Sequence, residues 1–334
     1  MEKSEVLIVT SNRNMRRHIT RALGSAGFAV RHSPMERGAV TKALDPAPRM
    51  CIVDVDEQHQ QQEIRWLLDL LYREHRDVIS LLISQDHEMP FVRESLTTQN
   101  LNNLIAKHGG LSAASELIDE SEVIVTCQKL CRHDIFGLDK YLTTWGIKVL
   151  EREITGTESK LEILNELDEY LDRIDCWGAV KNSVMLVADE LIMNAIFNAP
   201  RDAGGKAKYA SLDRAEEFEL APAEKAVFRY ACDGRNIALS VTDNFGSLDR
   251  DVIIRYLQRC FDGGPAEVED KEGGAGLGLH MVFNSITQLT FNIQAGVATE
   301  VIAAFYVRSG SLAFKTSGRS LNIFFLTENG EAIG

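Results

Sequence analysis

The chain has 334 residues, 45% of them apolar, and a formal net charge of −13. A sizeable core can form without disulfides or metals. The acidic balance argues against a general nucleic-acid-binding role or an anionic membrane surface, and no run is long enough to span a membrane. The cysteines, Cys51, Cys127, Cys131, Cys176, Cys232 and Cys260, are scattered through mostly apolar stretches. That is the pattern of reduced thiols in a cytoplasmic protein, and no signal-peptide pattern is visible.

The first elements alternate. Val6–Val9 is a short apolar run, the mark of a buried parallel strand. Met15 to Gly24 follows with helical spacing closed by glycine. Phe28–Val30, Met50–Val53, Val78–Ile83 and Leu104–Ala106 read as further strands, with a helix over Ile64–Tyr72. Strands alternating with helices predict a doubly wound parallel sheet, whose ligands bind at the carboxyl ends of the strands.

Thr10 and Ser11, Asp54, Ser84 and Lys107 fall at those ends. Their order resembles response-regulator receiver domains, which carry an acidic pair after strand one, a phosphoacceptor Asp, a Ser or Thr, and a Lys. The resemblance implies a receiver-like domain over residues 1–111 with Asp54 as possible phosphoacceptor, served by Ser84 and Lys107. Thr10 and Ser11 replace the acidic pair, and Mg²⁺ wants carboxylate oxygens. The reading is therefore a pseudo-receiver in which Asp54 and Lys107 form an ion pair, with regulated phosphorylation of Asp54 as the alternative.

Residues 112–144 read as a helical connector carrying Leu117, Ile118, Val123, Ile124, Leu130 and Ile135. Such a helix could pair with its copy in a homodimer. His133-Asp134 has the look of a histidine-kinase phosphoacceptor, but too little chain lies between it and Asn194 to hold a two-helix hairpin; an ordinary surface or capping histidine is the favoured reading.

Residues 145–334 bring a strand (Ile147–Ile154) and an amphipathic helix (Ser159–Ile174). A second helix, Ala179–Asn198, lines up Glu190, Asn194 and Asn198 on one face at i, i+4 and i+8. A hairpin comes next, Ala226–Cys232 and Ile237–Thr242 joined at Asp233-Gly234, and delivers Asp243. A helix from Arg250 to Cys260 leads to a glycine run, Gly273 to Leu279. Small residues there let backbone N–H groups approach a phosphate. Strands over Thr290–Ile293, Glu300–Val307 and Leu321–Leu326 close the chain.

The ordered triplet of a helix with Glu and Asn, a strand ending in Asp, and a Gly-x-Gly-Leu-Gly loop resembles the N, G1 and G2 boxes of the GHKL ATPase superfamily. Its spacing is most similar to the anti-sigma-factor serine kinases. The resemblance implies an α/β sandwich with a mixed sheet that binds ATP (or ADP) and Mg²⁺. In it Asn194 would hold the metal and Asp243 the adenine amino group. Gly274, Gly276, Leu277 and Gly278 would cradle the phosphates. Gly246, Thr299 and Asn198 would complete the site, and Glu190 would be the general base. The G1 box departs from the usual Asp-x-Gly-x-Gly, reading Asp243-Asn244-Phe245-Gly246-Ser247.

The whole then implies a cytoplasmic, bacterial signal-transduction protein in which the receiver-like domain regulates an ATP-binding, serine-kinase-like domain. It would have a protein partner and no nucleic-acid or membrane partner. The alternative is a catalytically inactive, nucleotide-gated partner-binding module.

Overall fold

The computed structural model describes residues 4–55, 61–84, 94–96, 101–107, 118–144, 146–261, 285–307 and 318–331. The chain forms two compact units. One comprises Met1–Ile135, Lys315–Phe324 and Ala332–Gly334, the other Phe136–Phe314 and Phe325–Glu331.

In the first unit the strands are β1 (Glu5–Val9), β2 (Ala29–Ser33), β3 (Met50–Val55), β4 (Ile79–Ser84) and β5 (Asn103–Ala106). They run parallel in the order β2-β1-β3-β4-β5. That is the order of flavodoxin-like doubly wound sheets. Helices described in this unit include α1 (Arg13–Ser25), α2 (Arg37–Ala43), α3 (Gln61–Glu74) and α4 (Glu120–Arg132). β1, β3, β4 and β5 are buried along most of their length, which is why they read as apolar runs, while β2 at the edge is only partly covered. Alternation sends Val6, Ile8 and Ile52 to one face, where they meet Met15, Ile19 and Leu23 of α1 and Val123 and Cys127 of α4. The apolar periodicity predicts no helix at α2, since only Val40 within it is buried.

Two features differ from the sequence reading. The helix expected within a connector over 112–144 is α4, and Val123 and Cys127 of it pack in the first unit's own core. The last strand, β11 (Ser320–Leu326), does not belong wholly to the second half. Leu321 and Asn322 pair antiparallel with Leu104 and Asn103 at the open edge of β5. Its polar side chains are held by α4: Ser320 Oγ donates to Glu122 at 3.0 Å and Asn322 Nδ2 at 3.3 Å.

The second unit contains β6 (Leu150–Ile154), α5 (Thr157–Arg173), α6 (Gly178–Met193), β7 (Ala226–Cys232), β8 (Asn236–Asp243), α7 (Arg250–Phe261), β9 (Gln288–Gln294) and β10 (Ala298–Tyr306). Its strands run in the order β9-β10-β8-β7-β6. The mixed sheet expected here is antiparallel in every described pairing of these five strands. α6 packs against α5 and against β8 and β10. Val180, Val184, Val187, Leu191 and Ile192 make that contact possible and are buried. No helix among the described residues is long and apolar enough to cross a membrane.

Candidate functional site

Two constellations lie where strands end. In the first unit β3 delivers Asp54, 1% exposed, and the residue after β5 is Lys107, 4% exposed. Lys107 Nζ sits 2.6 Å from Asp54 Oδ1 and donates to the Val55 carbonyl at 2.8 Å. Thr10 Oγ1 donates to Asp54 Oδ2 at 2.6 Å. The Lys107 amide donates to the Ser84 carbonyl at 2.8 Å, which holds the lysine backbone beside β4. Asp54, Ser84 and Lys107 are thus brought together as the spacing predicts. Thr10 uses its hydroxyl as a donor to the carboxylate. A buried carboxylate survives when paired and hydrogen-bonded, and both Asp54 oxygens are engaged by the chain itself.

His133 caps α4 in a left-handed conformation, φ 59°, with Nε2 3.5 Å from an Arg49 nitrogen. It is a capping residue on the first unit.

The second constellation begins on α6. Beyond Met193 the helix widens into a single π turn, Asn194–Asn198, closed by the Ala199 amide donating to the Asn194 carbonyl at 3.0 Å. Such π turns concentrate at functional sites. Ala195, Ile196 and Phe197 are buried, while Asn194 and Asn198 are half-exposed. Asn198 Nδ2 donates to Asn194 Oδ1 at 2.8 Å. One turn earlier Glu190 is half-buried, and burial pushes its carboxyl above the usual carboxylate range. Arg214 and Lys160 oppose that rise and Asp189 reinforces it. Glu190, Asn194 and Asn198 therefore share a face, as their spacing predicts.

Asp243 ends β8. Its Oδ1 accepts from the Phe245 amide at 2.9 Å. Burial raises its pKa, and backbone N–H groups of Phe245, Gly246 and Thr299 together with the charge of Arg201 oppose that rise. Thr299 lies directly opposite on β10. It is 3% exposed, and its Oγ1 has no hydrogen-bond partner among the described residues. A buried hydroxyl left without a partner costs free energy and calls for an explanation. Gly246 has φ +56°, and a Cβ there would overlap the Gln294 carbonyl and come within 2.7 Å of the Val297 nitrogen. Only glycine lets the turn after Asp243 press against the β9–β10 hairpin.

Sequence reasoning missed Arg201, whose Nε donates to Ser247 Oγ at 2.9 Å and whose charge reaches Asp243. It sits in the irregular insertion after α6, where no periodicity signals a role. Gly274, Gly276, Leu277 and Gly278 lie outside the described residues.

No family model matches the sequence, and no curated protein matches it. Among solved structures the chain is similar to the chemotaxis response regulator CheY4 of Vibrio cholerae. That likeness has 14% identity and a TM-score of 0.31, over 39% of this chain and 99% of that one. The doubly wound description of the first unit rests on its own strand order.

Proposed function

We propose that the second unit binds a nucleotide, ATP or ADP with Mg²⁺, in a signalling protein whose first unit is a receiver without a metal site that regulates it. The observation that carries the reading is the pairing of Asp243 with Thr299, whose buried Oγ1 has no partner among the described residues. The donor set fits a nucleotide. A carboxylate accepts from an amino group, the neighbouring hydroxyl donates or accepts, and the amide oxygens of Asn194 and Asn198 suit a hard cation. Bound ATP supplies a transferable phosphoryl group. The chain's own contribution is a proton acceptor. Glu190, with a carboxyl raised by burial, takes the proton of a Ser or Thr hydroxyl on a partner protein or of a water. Such a base is worth about 10²- to 10⁴-fold in rate.

Calorimetric titration of the full chain with ATP and Mg²⁺ tests the binding. Saturable binding is expected, weakened at least about tenfold in Asp243→Ala, as for losing about 1.4 kcal/mol. Equal affinity in the variant would remove Asp243 from the site. Transfer from labelled ATP should drop sharply in Glu190→Ala, and unchanged transfer would sink the assigned base.

One observation favours the catalytically inactive alternative, a nucleotide-gated partner-binding module: Asn194 Oδ1 already accepts from Asn198. Tight binding without turnover, insensitive to Glu190→Ala, supports that second reading.

A further inference from the structure

We propose that α1 and β2 of the first unit form a binding site for a small polyanion bearing adjacent phosphate groups. A cleft of about 510 Å³ opens there. Arg16, Arg17, His18 and Arg21 line it from the helix and His32 from the strand, and no carboxylate lines it among the described residues. The volume falls within the roughly 300–1,000 Å³ of small-ligand sites.

The helix breaks local rules to build this surface. Arg13, Arg17 and Arg21 recur at i, i+4 and i+8, so like charges stack along one face. Arg13 and Arg16 stand near the N-terminus, where the helix dipole disfavours cations, and the first turn holds no acidic residue. Among the described residues the far end alone is neutralised, by Glu120, which is 2.7 Å from Arg21 and 3.2 Å from His18. Arg13, Arg16 and Arg17 have no carboxylate at ion-pairing distance among the described residues. Arg13 and Arg17 are exposed and Arg16 is half-buried. A helix that accepts this repulsion in a chain of net charge −13 is poised for an anion.

The ligand class follows from the donors and the footprint. Arginine forks bind phosphate oxygens two at a time, and several forks around one cleft suit neighbouring phosphates. The acidic remainder of the chain opposes a long polyanion such as nucleic acid, while a compact ligand touches only the basic cleft.

The test is calorimetric titration of the full chain with inorganic tripolyphosphate, with a hexaglutamate peptide and a short single-stranded DNA in parallel. Saturable binding of tripolyphosphate is expected, at least tenfold tighter than hexaglutamate or DNA. The double variant Arg16→Gln, Arg17→Gln should weaken it at least tenfold while its unfolding midpoint stays at or above that of the wild type. No binding to the wild type overturns the proposal. So does unchanged affinity in the double variant, because the anion then sits elsewhere. Tighter binding of hexaglutamate or DNA assigns the surface to another partner. A lowered midpoint makes the arginines part of the fold and also overturns it.

Discussion

Asp54 and Asp243 each end a strand, one in each unit, and their surroundings are opposite. Asp54 is sealed: Lys107 holds one oxygen and Thr10 the other, all three nearly inaccessible to solvent. Asp243 is half-buried, is steadied by backbone amides, and faces a threonine whose hydroxyl has no partner among the described residues. A carboxylate whose acceptors are satisfied by its own chain contributes to a fixed structure. One beside an unsatisfied hydroxyl has capacity left for something outside the chain. Of the two carboxylates, Asp243 and not Asp54 is the one with capacity left for something outside the chain.

The sharpest way to break this contrast is to unseal Asp54. Lys107→Met leaves a buried carboxylate without its cation, which costs about 3–5 kcal/mol when a buried pair loses one partner. Urea unfolding of the full chain should show that loss in the first unit. A loss under about 1 kcal/mol, the range of an exposed pair, would mean that Asp54 is open to solvent and as available as Asp243.

Glu122 shows what the first unit does with a buried carboxylate that has no cation at ion-pairing distance among the described residues. It is buried against Ser320 and Asn322, which are neutral donors, and burial reinforced by Asp119 pushes its pKa up to about 8. The folded value lies above the ordinary one, so its contribution to stability is fully present below about pH 4.5 and is lost as pH rises through about 8. The limiting slope is about 1.4 kcal/mol per pH unit. Glu122→Gln keeps the shape and removes the proton. Unfolding midpoints from pH 5 to pH 9 should therefore fall more steeply in the wild type than in the variant. Parallel profiles would show that Glu122 stays hydrated.

Most of the fold was legible, and for a physical reason. Strands of a doubly covered sheet must be apolar throughout, so Val6–Val9 and Met50–Val53 announce themselves. The hairpin at Asp233-Gly234 carries its own turn chemistry, with Gly234 at φ +84°. The unread parts depend on partners distant in sequence. Leu321 gives no sign that it pairs with Leu104, and nothing in the local sequence shows that Glu122 and Lys129 on α4 are buried. In the candidate site the spacing of Glu190, Asn194 and Asn198 was visible. The π turn that carries the two asparagines, and the isolation of the Thr299 hydroxyl, arise only from packing.

Gly246 tests how closely the second site is built. Gly246→Ala forces a side chain into the β9–β10 hairpin at a positive φ. Strain and overpacking together should cost about 2–3 kcal/mol, read as a lowered denaturation midpoint. A cost near zero would mean that the turn after Asp243 is loose, and that Asp243 is not held in a defined position.

The smallest effect discriminates most finely, because one substitution made in both units should give different results. Thr10→Val removes a hydroxyl that donates to a buried carboxylate, so Asp54 loses an obligatory partner and stability falls by about 1–3 kcal/mol. Thr299→Val removes a hydroxyl with no partner among the described residues and fills its place with a methyl group. An unsatisfied polar group replaced by an apolar one of the same shape is neutral or stabilising, here by up to about 1 kcal/mol. Paired urea titrations of the two variants measure both. If Thr299→Val costs as much as Thr10→Val, the Thr299 hydroxyl is serving the fold and the contrast between the units collapses. If it costs nothing and also weakens calorimetric ATP binding, that hydroxyl is kept for a ligand at the expense of stability, as a binding site requires.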